Sequence, residues 1–497
     1  MDYNDDACFN WFSEPEDSLM KENFFLNTCS FKNNNILIVG LGKSGIACVN
    51  YLSKQIEYKK KLFKISVYDK KKSIKEQKDL LKKFDIENFF TSDLKKEILT
   101  GRSHIFLSPG VNPTEVNKFN LPLKIINDIS LFQEHLAANS NDLKVIGVTG
   151  TNGKTTTCLF LEHLLLKAGY KAKAAGNLGY SPLSLVDKLK ELDVLVIEIS
   201  SFQLNPFKKN GLPGKKIDIG VFLNFTEDHL DVHEDMEDYL QSKIALLKSS
   251  KRKVINNKIL KYLPNKFKDI TFNHSNKKNT EQLELENLSS DGYIIKALPN
   301  NKFIMISKGF EINIDTNKLM GEHNVLNIAA AFAAFRILNL TFTDYQDVVR
   351  SFRGLPHRIE WVREINNINF YNDSKATNVA STVAALEVFR SKNVFLIAGG
   401  DSKKLPLAPL KKYLTKNVSH LFLIGQDALK IQNFFKNLDM LKIFMCDDLA
   451  NAVNEAFNLA KSGDIILLSP SCSSHDVYKN FIERGEHFKE VVHTLKK

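Results

Sequence analysis

Short apolar runs ending in glycine-rich or acidic turns recur along the chain, each followed by residues at helical spacing. Ile36-Leu-Ile-Val enters Gly40-Leu-Gly-Lys-Ser-Gly45 and a helix through Leu52, and a second run, Ile65-Ser-Val-Tyr, ends at Asp69. Further runs at Ile105-Phe-Leu and Ile125-Ile extend the alternation, which predicts a small parallel sheet. A second unit opens at Val145-Ile-Gly-Val, turns through glycines and continues as a helix from Thr155 to about Ala168, with Gly169 placed for a C-terminal cap. Val194-Leu-Val-Ile and Ile219-Gly-Val-Phe-Leu are apolar throughout, as strands buried on both faces are. The polar stretch from Asn273 to Asn301 reads as an irregular surface excursion, and Asn324 to Leu338 as a core-packed helix of small apolar residues. A third unit begins near Gly354, with strands at Val394-Phe-Leu-Ile-Ala, Leu421-Phe-Leu-Ile and Ile465-Ile-Leu-Leu. Three α/β domains around shared clefts are expected, with ligands at the carboxyl ends of the strands.

The length of 497 residues suits three domains, since single cores stop growing near ~250 residues. Hydrophobic residues at 43% and charged residues at 25% exclude wholesale disorder. The excess of 68 Lys+Arg over 57 Asp+Glu, 68 − 57 = +11, favours anionic partners. No aromatic-spaced basic cluster accompanies it, so no nucleic acid partner is expected. Six cysteines (8, 29, 48, 158, 446 and 472) form neither a C-x-x-C pair nor a zinc spacing, which reads as a reduced, cytoplasmic protein. The acidic start Met1-Asp-Tyr-Asn-Asp-Asp lacks the apolar core of a signal peptide, and no apolar run reaches the ~18 residues a membrane span needs.

The strongest chemical motif is Gly150-Thr-Asn-Gly-Lys-Thr155, between a strand and a helix. A phosphate chain needs backbone N–H groups in a tight turn, a lysine for its outer oxygens and a hydroxyl for Mg²⁺, and Lys154 and Thr155 supply the last two. The spacing departs from the usual P-loop, because Val148 stands where its first glycine lies. Glu198, leaving a buried strand, is placed either to ligate Mg²⁺ or to cap the next turn. Thr226-Glu-Asp-His-Leu-Asp231 follows another strand; by chemistry alone Asp228 is the better Mg²⁺ ligand than His229, and an acidic helix start explains the motif equally well.

Gly40 to Gly45 with Asp69 fits a dinucleotide fingerprint, open between NAD, another nucleotide diphosphate and a plain tight turn. Gly354-Leu-Pro-His-Arg358 and Asn372-Asp-Ser-Lys-Ala-Thr-Asn378 gather Arg, Asp and Lys for a base or carboxylate, or for structural ion pairs. Cys472 and His475 stand three apart with no orienting partner, a poor nucleophile pair.

Taken in order, Gly150 to Thr155, Glu198-Ile-Ser-Ser-Phe-Gln203, Asn224 to Asp231 and Gly321-Glu-His-Asn-Val-Leu-Asn327 resemble the Mur ligases. Gly354 to Glu360, Asn372 to Asn378, Leu467-Leu-Ser-Pro-Ser-Cys-Ser-Ser and Phe481-Ile-Glu-Arg-Gly485 resemble the D-glutamate-adding branch. The resemblance covers about residue 35 to the C-terminus and implies an α/β fold of three domains. These are a Rossmann-like UDP-binding domain (34–133), a central P-loop ATPase-type domain (134–353) and a C-terminal Rossmann-like amino-acid-binding domain (354–497), after a leader at 1–33 that has no family counterpart.

The implied reaction uses ATP and Mg²⁺ to activate the terminal carboxylate of UDP-N-acetylmuramoyl-L-alanine as an acyl phosphate, which D-glutamate attacks. By resemblance, Gly150, Thr151, Asn152, Gly153, Lys154, Thr155 and Thr156 hold ATP, with Asn327, Arg358 and Asp373 at adenine and ribose. Lys154 is catalytic, Thr155 and Glu198 serve one Mg²⁺, and His229, displacing Asp228, joins Glu198 at a second. Lys243 stands where the family carries a carbamylated lysine, an anion able to organise the metal site. Gly42, Lys43, Ser44, Asp69 and Gly110 would hold uracil and diphosphate, with Asn177 and His229 towards the muramoyl end. Lys375, Thr377, Lys403, Ser474 and Phe481 match the amino-acid site, where His475 replaces an expected apolar residue. Lys70 and Lys71 read as phosphate-side contacts or as surface charge.

A monomer without membrane insertion is expected, with the third domain swinging in to assemble the site. The rivals are a related ligase with another acceptor, a nicotinamide oxidoreductase using Gly40 to Gly45, and a non-enzymatic ATP-gated module.

Overall fold

The computed structural model describes residues 34–496 except 60–62, 71–73, 85, 112, 122, 140–141, 215–216, 227–232, 265–269, 276–292, 299–301, 308–309, 316–321, 339, 341–343, 353, 355 and 402–406. The described strands form three sheets, each drawn from one continuous part of the chain. The first comprises β1 (Asn34–Val39), β2 (Phe63–Tyr68), β3 (Ile86–Phe90), β4 (His104–Leu107) and β5 (Lys124–Ile126), all parallel, in the order β3-β2-β1-β4-β5. Strand order reverses at β1, so the turn beginning at Gly40 lies at the switch point where such sheets bind ligands.

The second sheet has nine strands: β6 (Lys144–Thr149), β7 (Ala172–Gly176), β8 (Val194–Glu198), β9 (Ile217–Phe222), β10 (Ser250–Asn256), β11 (Ile270–Ser275), β12 (Tyr293–Leu298), β13 (Lys302–Ser307) and β14 (Phe310–Asp315). Their order is β14-β13-β12-β11-β10-β9-β6-β8-β7, parallel except for the antiparallel β12-β13-β14 edge. Here β6 lies between β9 and β8, which puts the 150–155 turn at a second switch point. The third sheet is β15 (Glu360–Ile365), β16 (Ile368–Asn372), β17 (Val394–Gly399), β18 (Val418–Ile424), β19 (Lys442–Met445) and β20 (Ile465–Leu468), ordered β15-β16-β20-β17-β18-β19 with only β15 antiparallel.

Packing follows the apolar runs. Helix Asp128–Ala138 buries Ile129, Leu131, Phe132 and Leu136 in a core that also takes Ile36 and Phe106 from the first sheet and Val145 and Leu195 from the second. Helix Glu322–Ile337 is short-sided enough, through Ala329 to Ala334, to lie against helix Lys154–Lys167, with Phe160 and Phe332 edge to face at 5.5 Å. The third sheet has its own cores on both faces.

Two expectations need correction. The stretch 273–301 is not wholly irregular, because β12 and the end of β11 lie in it; its Lys and Asn content masks Tyr293-Ile-Ile. Strands β3, β7, β10, β11, β13, β14, β15, β16 and β19 were not foreseen either, being short or interrupted by charged or polar residues. Among the described residues no helix is long and apolar enough to cross a membrane.

Candidate active site

After β6 the chain turns at Gly150, and helix Lys154–Lys167 starts behind Gly153, whose φ of 81° is the left-handed conformation that glycine tolerates. A Cβ at Gly153 would also overlap the Asn327 amide, so this glycine seats Asn327 against the turn. The helix N-terminus offers its N–H groups to an anion. Lys154 folds over the turn, its Nζ donating to the carbonyl oxygens of Gly150 at 2.9 Å and Thr151 at 2.8 Å. The Thr151 hydroxyl accepts from the Thr226 N–H at 3.1 Å and from the Tyr239 hydroxyl at 3.2 Å, pinning the loop after β9 to the turn. Asn152 and Asn224 exchange two hydrogen bonds, at 2.8 and 3.0 Å, in the same place.

Glu198 ends β8, in register with Val148 of β6, and is 2% exposed. Its Oε1 accepts from Asn177 Nδ2 at 3.0 Å, while its buried Oε2 has no protein partner among the described residues. A buried carboxylate oxygen left unmet is costly and calls for a cation or water. Asn177 is fixed in turn, because its N–H donates to the Glu198 carbonyl at 3.0 Å across Gly176. Lys243, on helix Met236–Lys248, is 1% exposed; its Nζ donates to the Gly150 carbonyl at 2.9 Å and lies 4.4 Å from the centre of the Tyr239 ring. Residues 227–232, and with them Asp228 and His229, lie outside the described residues, as does Lys403. Among the described residues no group of three or more His, Cys, Asp or Glu side chains could hold a metal. Oxygen donors around the turn, above all Glu198 Oε2, are nevertheless of the kind Mg²⁺ takes.

The first turn is built differently. Asp69 Oδ2 accepts the Leu41 N–H at 2.6 Å, and the Ser108 hydroxyl donates to the Gly40 carbonyl at 2.6 Å. Gly42 and Gly110 have open space where a Cβ would stand, and Lys43 is exposed. Ser44 turns inward, its hydroxyl donating to Asp128 Oδ2 at 2.9 Å. Lys70 pairs with Asp93 at 2.6 Å on the surface, and Lys71 lies outside the described residues.

In the third domain Asp373 follows β16 and is 6% exposed. Its Oδ1 accepts the Ile359 N–H at 3.2 Å and its Oδ2 the Ser469 hydroxyl at 2.7 Å; burial lifts its pKa to about 7. Arg358 beside it is exposed and flanked by His357 and Ile359 at φ of 61° and 47°, left-handed conformations costly for side chains of this kind. The Lys375 ammonium lies 5.3 Å from the centre of the Phe481 ring; burial and the Arg358 charge pull its pKa down, and Glu198 opposes them. Thr377 is in the same turn, its N–H donating to the Lys375 carbonyl at 2.8 Å. Ser474 is buried on the loop after β20, while His475 is exposed. Cys472 is fully buried, and burial pushes its thiol up to about 12, which disfavours the thiolate a nucleophile needs.

Sequence reading missed what holds these loops together. Arg484, 1% exposed, donates to the Ser374 hydroxyl (3.0 Å) and carbonyl (2.9 Å) and to the Cys472 carbonyl (3.1 Å), clamping the Lys375 turn to the Ser474 loop. His357 packs on Gly485, where a Cβ would overlap its ring. Arg484 stood within a quoted motif, yet nothing in one sequence marks an arginine as buried.

Two switch-point sheets, the second carrying such a turn, and a third sheet beside them in the chain define an α/β protein built to handle nucleotide phosphates. Residues 34–118 match the Mur ligase MurD-like N-terminal domain, 148–335 the Mur ligase middle domain and 357–472 the Mur ligase glutamate ligase domain. The chain belongs to the Mur ligase family. It is 32% identical over 487 residues to the UDP-N-acetylmuramoylalanine–D-glutamate ligase of Nitrosomonas europaea, covering 94% of this chain and 98% of that protein. It is 34% identical over 480 residues to the ligase of the same name from Thermoanaerobacter pseudethanolicus, covering 94% and 99%. Among solved structures it shares its fold with the UDP-N-acetylmuramate-alanine ligase MurC of Thermotoga maritima (TM-score 0.54, 16% identity, 93% of this chain and 100% of that one). The MurF ligase of the same organism, in complex with ADP, is similar too (TM-score 0.54, 18% identity, 93% and 96%).

Proposed function

We propose that this chain is an ATP-dependent ligase that joins D-glutamate to UDP-N-acetylmuramoyl-L-alanine, a cytoplasmic step in making peptidoglycan precursors. The observation that carries this reading is a likeness to D-glutamate ligases running through all three domains at 30% identity or more. Domain limits at 33/34, 133/134 and 353/354 and a monomeric state belong to the same proposal.

The substrate carboxylate attacks the γ-phosphorus of ATP; a carboxylate O–P bond forms as the bond to the β-phosphate oxygen breaks, leaving ADP and an acyl phosphate. The amine of D-glutamate then attacks the acyl carbon, phosphate departs, the nitrogen loses a proton, and an amide remains. Both partners of the first step are anions, so holding and neutralising charge does most of the work. Lys154 and the N–H groups of 150 to 156 cradle the phosphates, with Asn327, Arg358 and Asp373 at the nucleoside. Thr155, Glu198 and His229 would hold Mg²⁺, which neutralises phosphate charge. A carbamate on Lys243 would turn a buried cation into an anion beside them, and its remaining N–H can still donate to the Gly150 carbonyl.

Gly42, Lys43, Ser44, Asp69 and Gly110 hold the uridine diphosphate and Asn177 the muramoyl end. Lys375, Thr377, Lys403, Ser474 and Phe481 receive D-glutamate. A lysine lying on an aromatic face suits an amino acid with two carboxylates, which needs a cation and a wall.

The test is phosphate release from ATP and Mg²⁺ with UDP-N-acetylmuramoyl-L-alanine and D-glutamate, L-glutamate or no amino acid. Release that requires D-glutamate, with an amide product by mass, is the expected result. Turnover only with another acceptor keeps the ligase and overturns the reading of the third domain. Depleting bicarbonate lowers the rate if Lys243 is carbamylated and leaves it unchanged if not.

A further inference from the structure

Asp128 stands outside every group of residues assigned above, yet three of the substrate-facing segments converge on it. It is fully buried on the first turn of helix Asp128–Ala138. Its Oδ2 accepts from the Ser44 hydroxyl at 2.9 Å, and its Oδ1 from Gln203 Nε2 at 2.9 Å and the Ile129 N–H at 3.0 Å. The Ser181 side chain hydrogen-bonds to it as well. Ser44 belongs to the first glycine turn, Ser181 lies four residues after Asn177, and Gln203 lies five after Glu198. Gln203 is itself committed to this arrangement: its Oε1 accepts from the Ser200 N–H and hydroxyl, each at 3.0 Å, and its carbonyl from Asn127 Nδ2 at 2.7 Å.

Burying a carboxylate among neutral donors is expensive, and the site could be filled more cheaply by an apolar residue or an amide. What a carboxylate alone provides is acceptor sites for four donors, three of them arriving from different segments. We infer that Asp128 is a positioning residue, which holds the first glycine turn in register with the Asn177 and Glu198 segments so that the bound UDP substrate presents its carboxylate to the phosphate donor. The inference rests on the proposed function for the identity of the two ligands. A residue acting this way leaves each ligand's own contacts intact, and its loss falls on the step that needs both in line.

The wild-type enzyme is first shown to bind UDP-N-acetylmuramoyl-L-alanine and a non-hydrolysable ATP analogue by calorimetry, and to release phosphate with D-glutamate. Absence of both binding and turnover would overturn the functional reading and this inference together. Asp128→Ala and Asp128→Asn are then compared for thermal midpoint, each dissociation constant and kcat. The expected result is kcat lowered at least thirtyfold in Asp128→Ala and less in Asp128→Asn, with both dissociation constants within threefold of wild type. Should Asp128→Ala fail to fold, Asp128→Asn decides. An unchanged kcat in folded variants, or a loss that merely tracks one dissociation constant, overturns the inference.

Discussion

The two glycine turns of this chain, 40–45 and 150–155, begin alike and end opposed. Each follows the strand at which its sheet reverses order, and each runs into a helix with a lysine and a hydroxyl at its start. In the second, Lys154 lies across the turn on two carbonyl oxygens and Asn327 is seated against Gly153, but Glu198 keeps a buried oxygen without a protein partner among the described residues. In the first, Asp69 and Ser44 brace the turn itself. Asp69 holds the Leu41 N–H, Ser44 donates to Asp128, and Gly45 packs so tightly that a Cβ would overlap the Gly40 carbonyl oxygen. A turn that transfers charge needs unsatisfied groups, and a turn that only holds a substrate gains from rigid ones.

That contrast can be broken most severely at the second turn. Lys154→Met or Glu198→Gln should lower kcat about 10²- to 10³-fold, roughly 3–4 kcal/mol, with little change in thermal midpoint, since each removes a group aimed at developing charge. Equal losses in kcat and stability would show that these groups hold the fold instead. Gly45→Ala is the counterpart at the first turn. The new methyl meets backbone that cannot yield, so a loss of about 2–4 kcal/mol in stability is expected by denaturant titration.

A smaller effect should come from pH. His135 is buried on the helix that joins the first two sheets, 3.2 Å from the Tyr51 hydroxyl, and burial holds its pKa down to about 4 against an ordinary 6.5. Between those values the unfolded chain binds more protons, so stability is full above about pH 6.5 and falls as the pH drops towards about 4. The loss is at most about 3 kcal/mol. A His135→Gln variant followed from pH 7 to 4 should lack this component. Smallest is Asp69→Ala, which frees the Leu41 N–H: KM for the UDP substrate should rise about five- to tenfold, or ~1 kcal/mol, with kcat unchanged. A fall in kcat instead would make the first turn part of the chemistry.

Much of this was legible in the chain. The runs before Gly40 and Gly150 are uninterrupted and end in glycines at positive φ, so strand, turn and helix follow locally. Glu198 was legible for the same reason, as an acid closing an apolar strand. Strand β12 was lost among Lys and Asn, and β15 and β16 among charged and polar residues, with β16 held on its other side by the distant β20. Asp128 reads as one more acid in a capped helix start, Asn127-Asp-Ile-Ser, and the cap is there; that Ser44 and Gln203 reach it across 84 and 75 residues is invisible locally.

By itself, then, the sequence marked the candidates for chemistry here, because phosphate chemistry constrains spacing within a single turn and periodicity constrains burial within a single strand. Tertiary structure alone decided which of those groups remain available. Ser44 and Asp69 each make a contact with a distant segment, Glu198 Oε2 has no protein partner among the described residues, and Arg484 becomes a buried clamp. Hydrogen-bond satisfaction is a property of the assembled neighbourhood, set by which strands stand side by side.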